Sequence, residues 1–299
     1  MAKPPEGLDL AALDLLRLIR EAGSFSAAAA RLGVKQSTVS YRVERLRRAL
    51  RDPLFVREGG ETLQTPKCEA AIRTAERMAA EFADLVEGDA FDPATTEAGF
   101  AIACNVYERF VILPGLVGAL RRKAPGLRLS ILPALAEGRA ALREGRADLL
   151  LGPEAPGHEA FRGRRLFSEG YVCAMDEAHP LADGGLTLEA YAKAAHVLVD
   201  YGGGWRSPYL EALKSLGVIL EPRLTLPSIG VIGAVLDGTD LIATLPARFA
   251  ATLGPAIRVL PAPFEARLEL FMFWRPRDHA VRRHEWMRGE VEAAARAAA

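Results

Sequence analysis

Apolar positions change their period along this chain, and the changes divide it. Residues 24–57 read SFSAAAARLGVKQSTVSYRVERLRRALRDPLFVR, two helical patterns on either side of a tight Leu32-Gly33-Val34 turn. Ser24 or Ser26 can cap the first helix, because a serine hydroxyl accepts an unpaired N–H of the first turn. Ala27 to Ala30 favours helix and keeps the surface small, so a second helix can cross closely. Gly33 takes a positive φ at little cost. In the second helix Val39, Val43, Leu46 and Leu50 place one apolar stripe toward a core. Two short strand-like runs follow, Leu54 to Arg57 and Thr62 to Thr65, around Glu58-Gly59-Gly60-Glu61, which is a hairpin signature. Residues 66–88 then read as one helix starting at Pro66, a favoured first-turn residue. Its Ile72, Ala75, Ala79, Phe82 and Val86, with Met78 and Leu85 beside them, form a seam suited to a partner helix; packing on its own domain is the alternative. The acidic stretch from Glu87 to Pro93 breaks the helix and marks a boundary.

From Glu97 onward strands alternate with helices. Strands are expected at Phe100–Cys104, Leu127–Leu132, Ala147–Leu151, Tyr171–Met175, His196–Val199, Arg223–Leu226, Leu241–Thr244, Ile257–Leu260 and Leu268–Trp274. Helices are expected at Tyr107–Lys123, Leu135–Glu144, near 187–195, 207–216, 228–237 and 246–252, and at Val281–Ala298. Such alternation implies parallel α/β sheets covered by helices.

The polar positions carry the chemistry. Off the apolar stripe, the start of the second helix presents Gln36, Ser37, Thr38, Ser40, Tyr41 and Arg42, side chains that a major groove can accept. From Arg31 to Arg57 there are eight basic residues against two acidic ones, a local +6 in a chain whose formal net charge is zero. Basic side chains gain by releasing the counterions of duplex DNA. A charge run alone is also what a solvated helix face looks like; joined to the helix-turn-helix pattern it points to DNA.

The same residues resemble the N-terminal winged helix-turn-helix of LysR-type transcriptional regulators. The match runs through Gly23-Ser24-Phe25, Ala28-Ala29, Leu32, Val34, Gln36, Val39-Ser40, Val43, Leu46, Leu50, Leu54-Phe55 and Arg57. Lys35, Ser37 and Thr38 depart from the usual serine, proline and alanine. Thr65-Pro66-Lys67-Cys68-Glu69-Ala70 looks like the motif of the branch holding nodulation and aromatic-degradation regulators. The resemblance implies an α/β protein with an N-terminal winged helix-turn-helix, a linker helix, and a two-lobed effector domain like a periplasmic binding protein. It implies a DNA-binding domain at 1–65, a dimerisation helix and hinge at 66–95, and an effector-binding domain at 96–299. Lobe one would be 96–170 and 267–299, and lobe two 171–266. DNA contacts would come from Ser24, Lys35, Gln36, Ser37, Thr38, Ser40, Tyr41, Arg42 and Arg57; the last either meets phosphate or the minor groove or pairs with Glu58 or Glu61. The implied partners are an operator duplex, a second copy in a homodimer or homotetramer, a small effector and RNA polymerase.

Composition adds limits. With 299 residues, half hydrophobic and a quarter charged, the chain is an ordinary globular one long enough for two or more domains. No run approaches the roughly 18 apolar residues of a membrane span, and the first residues lack a secretory pattern, so a cytoplasmic protein is expected. Cys68, Cys104 and Cys173 are few and odd in number, which argues against a disulfide framework; a Cys104–Cys173 redox pair is the alternative to core packing.

In open α/β sheets ligands bind beyond the C-terminal ends of strands. That rule selects Cys104, Asn105, Val106 and Tyr107 in lobe one. In lobe two it selects Asp200, Tyr201, Gly202, Gly203, Gly204, Trp205, Arg206 and Ser207, and again Leu226, Pro227, Ser228 and Ile229. Backbone N–H groups at a helix start suit a carboxylate, and Tyr107, Tyr201 and Trp205 add aromatic faces, so a small aromatic acid is the expected effector. Alternatively 202–204 is only a flexible loop and Trp205 surface packing. No phosphate loop or nucleophile elbow is present, and His158, His179, His196, His279 and His284 are scattered. No cofactor, metal or catalytic residue is expected. The expectation is a ligand-responsive transcriptional regulator; a small-molecule-binding module, or an enzyme with a DNA-binding appendage, is the other reading.

Overall fold

The computed structural model describes residues 9–58, 61–87, 91–135, 137–153, 160–201 and 205–298. The chain divides into two compact units, Met1–Ala90 and Phe91–Ala299.

In the first unit α1 (Leu10–Ala22), α2 (Phe25–Leu32) and α3 (Gln36–Leu50) precede a hairpin of β1 (Phe55–Glu58) and β2 (Glu61–Gln64), then α4 (Pro66–Glu87). Each start has a chemical cause. The Asp9 carboxylate accepts from the Ala12 N–H at 2.7 Å. Ser24, rather than Ser26, caps α2 by accepting from the Ala27 N–H. Thr65 Oγ1 accepts from the Cys68 N–H at the head of α4. Gly33 closes α2 at φ 66°, where any side chain would add strain. Leu16, Ile19, Val39, Val43, Leu46 and Leu54 are fully buried together, and burying such a side chain stabilises by about 1.5–3 kcal/mol.

The seam expected on α4 divides in two. Cys68, Ile72 and Ala75 are buried in the core of their own unit, and Arg20 of α1 pairs with Glu76 at 3.0 Å. Further along, Met78 and Phe82 stand exposed, Phe82 at 54 %. The first turns of α4 therefore belong to the winged domain, because α1 offers them an apolar surface that the later turns lack. Leu85 and Val86 lie beyond the described side chains.

The second unit runs β3 (Gly99–Cys104), α5 (Val106–Val111), α6 (Leu113–Lys123), β4 (Arg128–Pro133), α7 (Gly138–Glu144), β5 (Leu149–Pro153) and β6 (Arg162–Asp176). It continues with α8 (Leu188–Lys193), β7 (Ala195–Val199), α9 (Pro208–Ser215), β8 (Pro222–Leu226), a 3₁₀ turn at Ile229–Val231 and α10 (Ile232–Leu236). β9 (Leu241–Pro246), α11 (Ala247–Ala250), β10 (Ile257–Pro261), β11 (Arg267–Trp274) and α12 (Arg282–Ala297) complete it. Strand order is β4-β3-β5-β11-β6-β9-β7-β8, with β10 also on β6. β3 pairs in parallel with β4 and β5, and β7 with β8 and β9.

Four expectations are corrected here. The sheet is mixed, because β6 and β11 run antiparallel to their neighbours. β6 is far longer than the expected Tyr171–Met175: it pairs with β11 up to Gly170 and with β9 from Tyr171. One strand thus passes from one half of the sheet to the other. The helix expected at Tyr107–Lys123 is two helices meeting at Ile112. Pro114 lacks an N–H and its ring opposes the carbonyl four residues back, which ends the first helix. The next helix, α7, begins at Gly138 rather than Leu135. There a Cβ would lie 2.8 Å from Leu150 Cδ1, so glycine lets α7 approach β5 without displacing that side chain.

Candidate DNA-binding face and effector cleft

The apolar stripe of α3 determines which of its residues face outward. Val39, Val43 and Leu46 have no exposed surface, while Gln36, Ser37, Ser40, Tyr41 and Arg42 are exposed, Tyr41 at 62 %. Thr38 is half-buried and Lys35 exposed at the start of the helix. The hairpin packs beside this face. Ser24, Ser26, Gln36, Arg47, Arg57 and Thr62 line a hollow of about 280 Å³ between α2, α3 and the strands. Arg47 is held there by Pro53 O at 2.8 Å and by Glu44, whereas Arg57 is exposed. The side chains of Glu58 and Glu61, named above as alternative partners of Arg57, lie outside the described residues. Polar and cationic groups thus converge on one convex helix face and the hollow beside it, a shape that fits a groove and its flanking phosphates.

In the second unit a cleft of about 190 Å³ opens where parallel strands end. Asn105, Tyr107 and Glu108 come from the start of α5, and Leu150 to Pro153 from the end of β5. Val199, Tyr201, Trp205 and Ser207 follow β7, and Thr244 and Pro246 end β9. Tyr171 and Leu268 line it from the two crossing strands, and Ala134, Leu135, Gly138 and Arg139 from the start of α7 and the turn before it. Tyr201 and Trp205 meet edge to face at 5.3 Å. A cavity of roughly 150 Å³ holds benzene, so the space suits a single aromatic ring with a small substituent.

The structure sorts the residues expected here. Asn105, Tyr107, Tyr201 and Trp205 are brought together in the cleft wall. Cys104 and Val106 are turned into the core, Arg206 is exposed, and Ser228 caps the 3₁₀ turn by accepting from the Gly230 N–H. Pro227 is exposed, and Ile229 reaches the cleft instead. Gly202, Gly203 and Gly204 lie outside the described residues, as does His158. His179 is a turn residue: Nδ1 accepts from the Leu181 N–H and Nε2 meets Asp240 O at 3.1 Å. Ser207, expected in the lobe-two stretch, also lines the cleft, whereas Glu108, Tyr171, Thr244 and Arg139 were not expected. Glu108 did have a signal, an asparagine followed three residues later by glutamate, which is a capping box.

Glu108 also changes the electrostatics expected at this helix start. Its Oε2 accepts from the Asn105 N–H at 2.8 Å, so a donor expected to meet a ligand anion is already taken. Burial pushes the Glu108 carboxyl up to about 7, against the pull of backbone N–H groups and Arg109. Burial also raises the hydroxyls of Tyr171 and Tyr201, which stay neutral donors. Tyr107 donates to Glu169 Oε1, while Glu169 Oε2 accepts from the Arg248 N–H. Glu169 therefore ties α5 to α11 at the point where β6 changes partners. The three thiols are buried and their titration is pushed upward by it, as expected of core cysteines rather than a reactive pair.

Comparison with known proteins gives each unit a family match. Residues 10–69 match the bacterial regulatory helix-turn-helix protein, lysR family, and residues 100–296 match the LysR substrate binding domain. The HTH-type transcriptional activator NahR of Pseudomonas putida is 31% identical over 268 residues, covering 88% of this chain and 89% of the relative. Nodulation protein D 1 of Sinorhizobium fredii is 28% identical over 288 residues, covering 95% and 89%. The crystal structure of the probable transcriptional regulator PA0477 from Pseudomonas aeruginosa superposes with a TM-score of 0.76 at 27% identity, covering 96% of this chain and 97% of that one.

Proposed function

Because the chain belongs to the LysR family of bacterial transcriptional regulators, we propose specific residues for each part of that activity. The protein is a DNA-binding, ligand-responsive regulator. Its operator contacts are Lys35, Gln36, Ser37, Thr38, Ser40, Tyr41 and Arg42 in the major groove, with Ser24 and Arg57 toward the backbone. Residues 1–65 are the DNA-binding domain and 66–95 the dimerisation helix and hinge, whose exposed Met78 and Phe82 meet a second copy in a homodimer or homotetramer. The effector domain is 96–299, with lobes divided where β6 changes partners. Its ligand is a small aromatic acid in the cleft walled by Asn105, Tyr107, Tyr201 and Trp205. Occupancy shifts the lobes because the ligand binds their two arrangements with different affinity, and the bound dimer acts on RNA polymerase in the cytoplasm. The reading gives the protein no catalytic step; among the described residues no helix is long and apolar enough to cross a membrane.

One observation carries the reading: the polar start of α3 is exposed while Val39, Val43 and Leu46 of its apolar stripe are fully buried. The test is selection from a randomised duplex library. Wild type should enrich a two-fold-related site, and Ser37→Ala with Tyr41→Ala should lose that preference. Equal enrichment by both would end the assignment of α3. For the cleft, calorimetric titration of benzoate should give binding to wild type and none to Trp205→Ala; equal binding removes Trp205 from the site.

A further inference from the structure

The cleft has an acid inside it and its cation at the edge. Glu108 is 2 % exposed and lines the wall together with aromatic and aliphatic side chains. Among the described lining residues Arg139 is the one cation, and it lies at the exposed side on α7. The groups around Glu108 come from several elements. On its own helix Arg109 favours the ionised form while donating Nη2–H to Cys104 O at 2.9 Å. Cys104, at the end of β3, holds a thiol pushed up to about 11 by burial and secondarily by the Glu108 charge. Tyr201, after β7, is raised by burial and secondarily by the same charge. Tyr107 directs its hydroxyl to Glu169, and Tyr171 of β6 faces the same space. Among the described residues, a ligand carboxylate arriving here meets no inner cation and one buried carboxyl.

We propose that Glu108 sets which head group the cleft accepts, an aromatic carboxylate entering only together with a proton carried on Glu108. This rests on the reading of the cleft as the effector site. When two carboxyl groups share a site, both cannot ionise, and one holds its proton far above the usual range. The proton comes from solvent, stays on a Glu108 oxygen and is donated to the ligand carboxylate in a hydrogen bond; nothing else is transferred. A neutral ring amide carries no such requirement. The protein therefore reads pH through its ligand: the acid form of the cleft is receptive and the ionised form is not.

Calorimetry of the full chain tests this with benzoate and its neutral isostere benzamide, at pH 6 and 8, in phosphate and Tris buffers. If only the protonated cleft binds, a carboxyl titrating at about 7 weakens benzoate about tenfold between those pH values. Comparison of the two buffers should then show close to one proton taken up per benzoate at pH 8, and none per benzamide. Glu108→Gln keeps an acceptor for the Asn105 N–H, so it should fold, bind benzoate equally at both pH values and take up no proton. Benzoate affinity that is flat with pH, without proton uptake in wild type, overturns the proposal and leaves the cleft intact. Benzamide binding with benzoate refused at both pH values overturns it as well. Binding of neither compound overturns the cleft reading itself. Should Glu108→Gln not fold, the wild-type proton count for benzoate against benzamide decides alone.

Discussion

Replacing Arg57 by glutamine, beside Ser37→Ala, separates the two kinds of contact expected on the α3 face. Arg57 is exposed on β1 and borders the hollow beside α3, and Ser37 is exposed on α3 itself. Neither belongs to the buried cluster of Val39, Val43 and Leu46, so each substitution should change unfolding free energy by less than about 0.5 kcal/mol. Each phosphate contact adds about 0.9 to the slope of log affinity against log salt. A dimer presents Arg57 twice, so glutamine should flatten the slope by about 1.8. Between roughly 50 and 200 mM salt, wild type should then lose about 12-fold more affinity than the variant. Ser37→Ala should leave the slope alone and instead weaken the selected duplex by about 1–3 kcal/mol, roughly 5- to 150-fold, with little effect on scrambled DNA. Fluorescence anisotropy across a salt series, on selected and scrambled duplexes, reads both quantities. Equal slopes for wild type and Arg57→Gln would refute the phosphate role of the wing arginine. An equal loss on both duplexes for Ser37→Ala would show that the serine reads no base.

The other predictions concern stability and reactivity. Leu46 is fully buried in the core of the first unit, so Leu46→Ala should cost about 2–5 kcal/mol in urea unfolding; a loss below about 1 kcal/mol would contradict that packing. His284 is 2 % exposed, with Nδ1 buried and unpartnered and Nε2 3.6 Å from Asp148. Burial and then the charges of Arg283 and Arg275 lower it from 6.5 to about 2. Between those values the unfolded chain binds a proton that the folded chain refuses, so stability falls as pH drops below 6.5. His284→Leu removes that loss, and its acid unfolding, followed by circular dichroism, should begin at lower pH than wild type. Finally, Cys68, Cys104 and Cys173 are buried, with thiols pushed up to about 11, 11 and 12. Ellman's reagent should be nearly silent on native protein at pH 8 and should count all three thiols in denaturant; rapid native reaction would show an accessible thiol.

Local chemistry made much of this protein legible from its chain. The caps at Ser24 and Thr65, the turn at Gly33 and the stripe Val39-Val43-Leu46 follow from short-range rules, and the elements lie where those rules place them. The face that α3 presents to solvent follows too, because one apolar stripe leaves only one polar side. α1 was legible in principle, since Leu13, Leu16 and Ile19 follow a capping Asp9, yet it stands outside the motif that draws attention.

What tertiary structure decided is what depends on distant neighbours. Ile72 and Ala75 carry the same periodic signal as Phe82, and only the presence of α1 assigns the first two to the winged domain. Arg51 and Leu54 adopt positive φ without being glycine. The turn they bracket is held by Asp52, whose carboxylate accepts from the Leu54 N–H and the Thr65 hydroxyl, a link from residue 52 to residue 65 that no local window contains. The length of β6 depends on β11, from about a hundred residues later, supplying its ladder. Glu108 occupies a capping position in sequence, and only the folded cleft, to which remote residues such as Tyr201 and Thr244 also contribute, makes it a buried acid. Periodicity and capping are properties of neighbouring residues and therefore survive in the chain alone, whereas burial and its effect on charge depend on which remote surfaces arrive to exclude water.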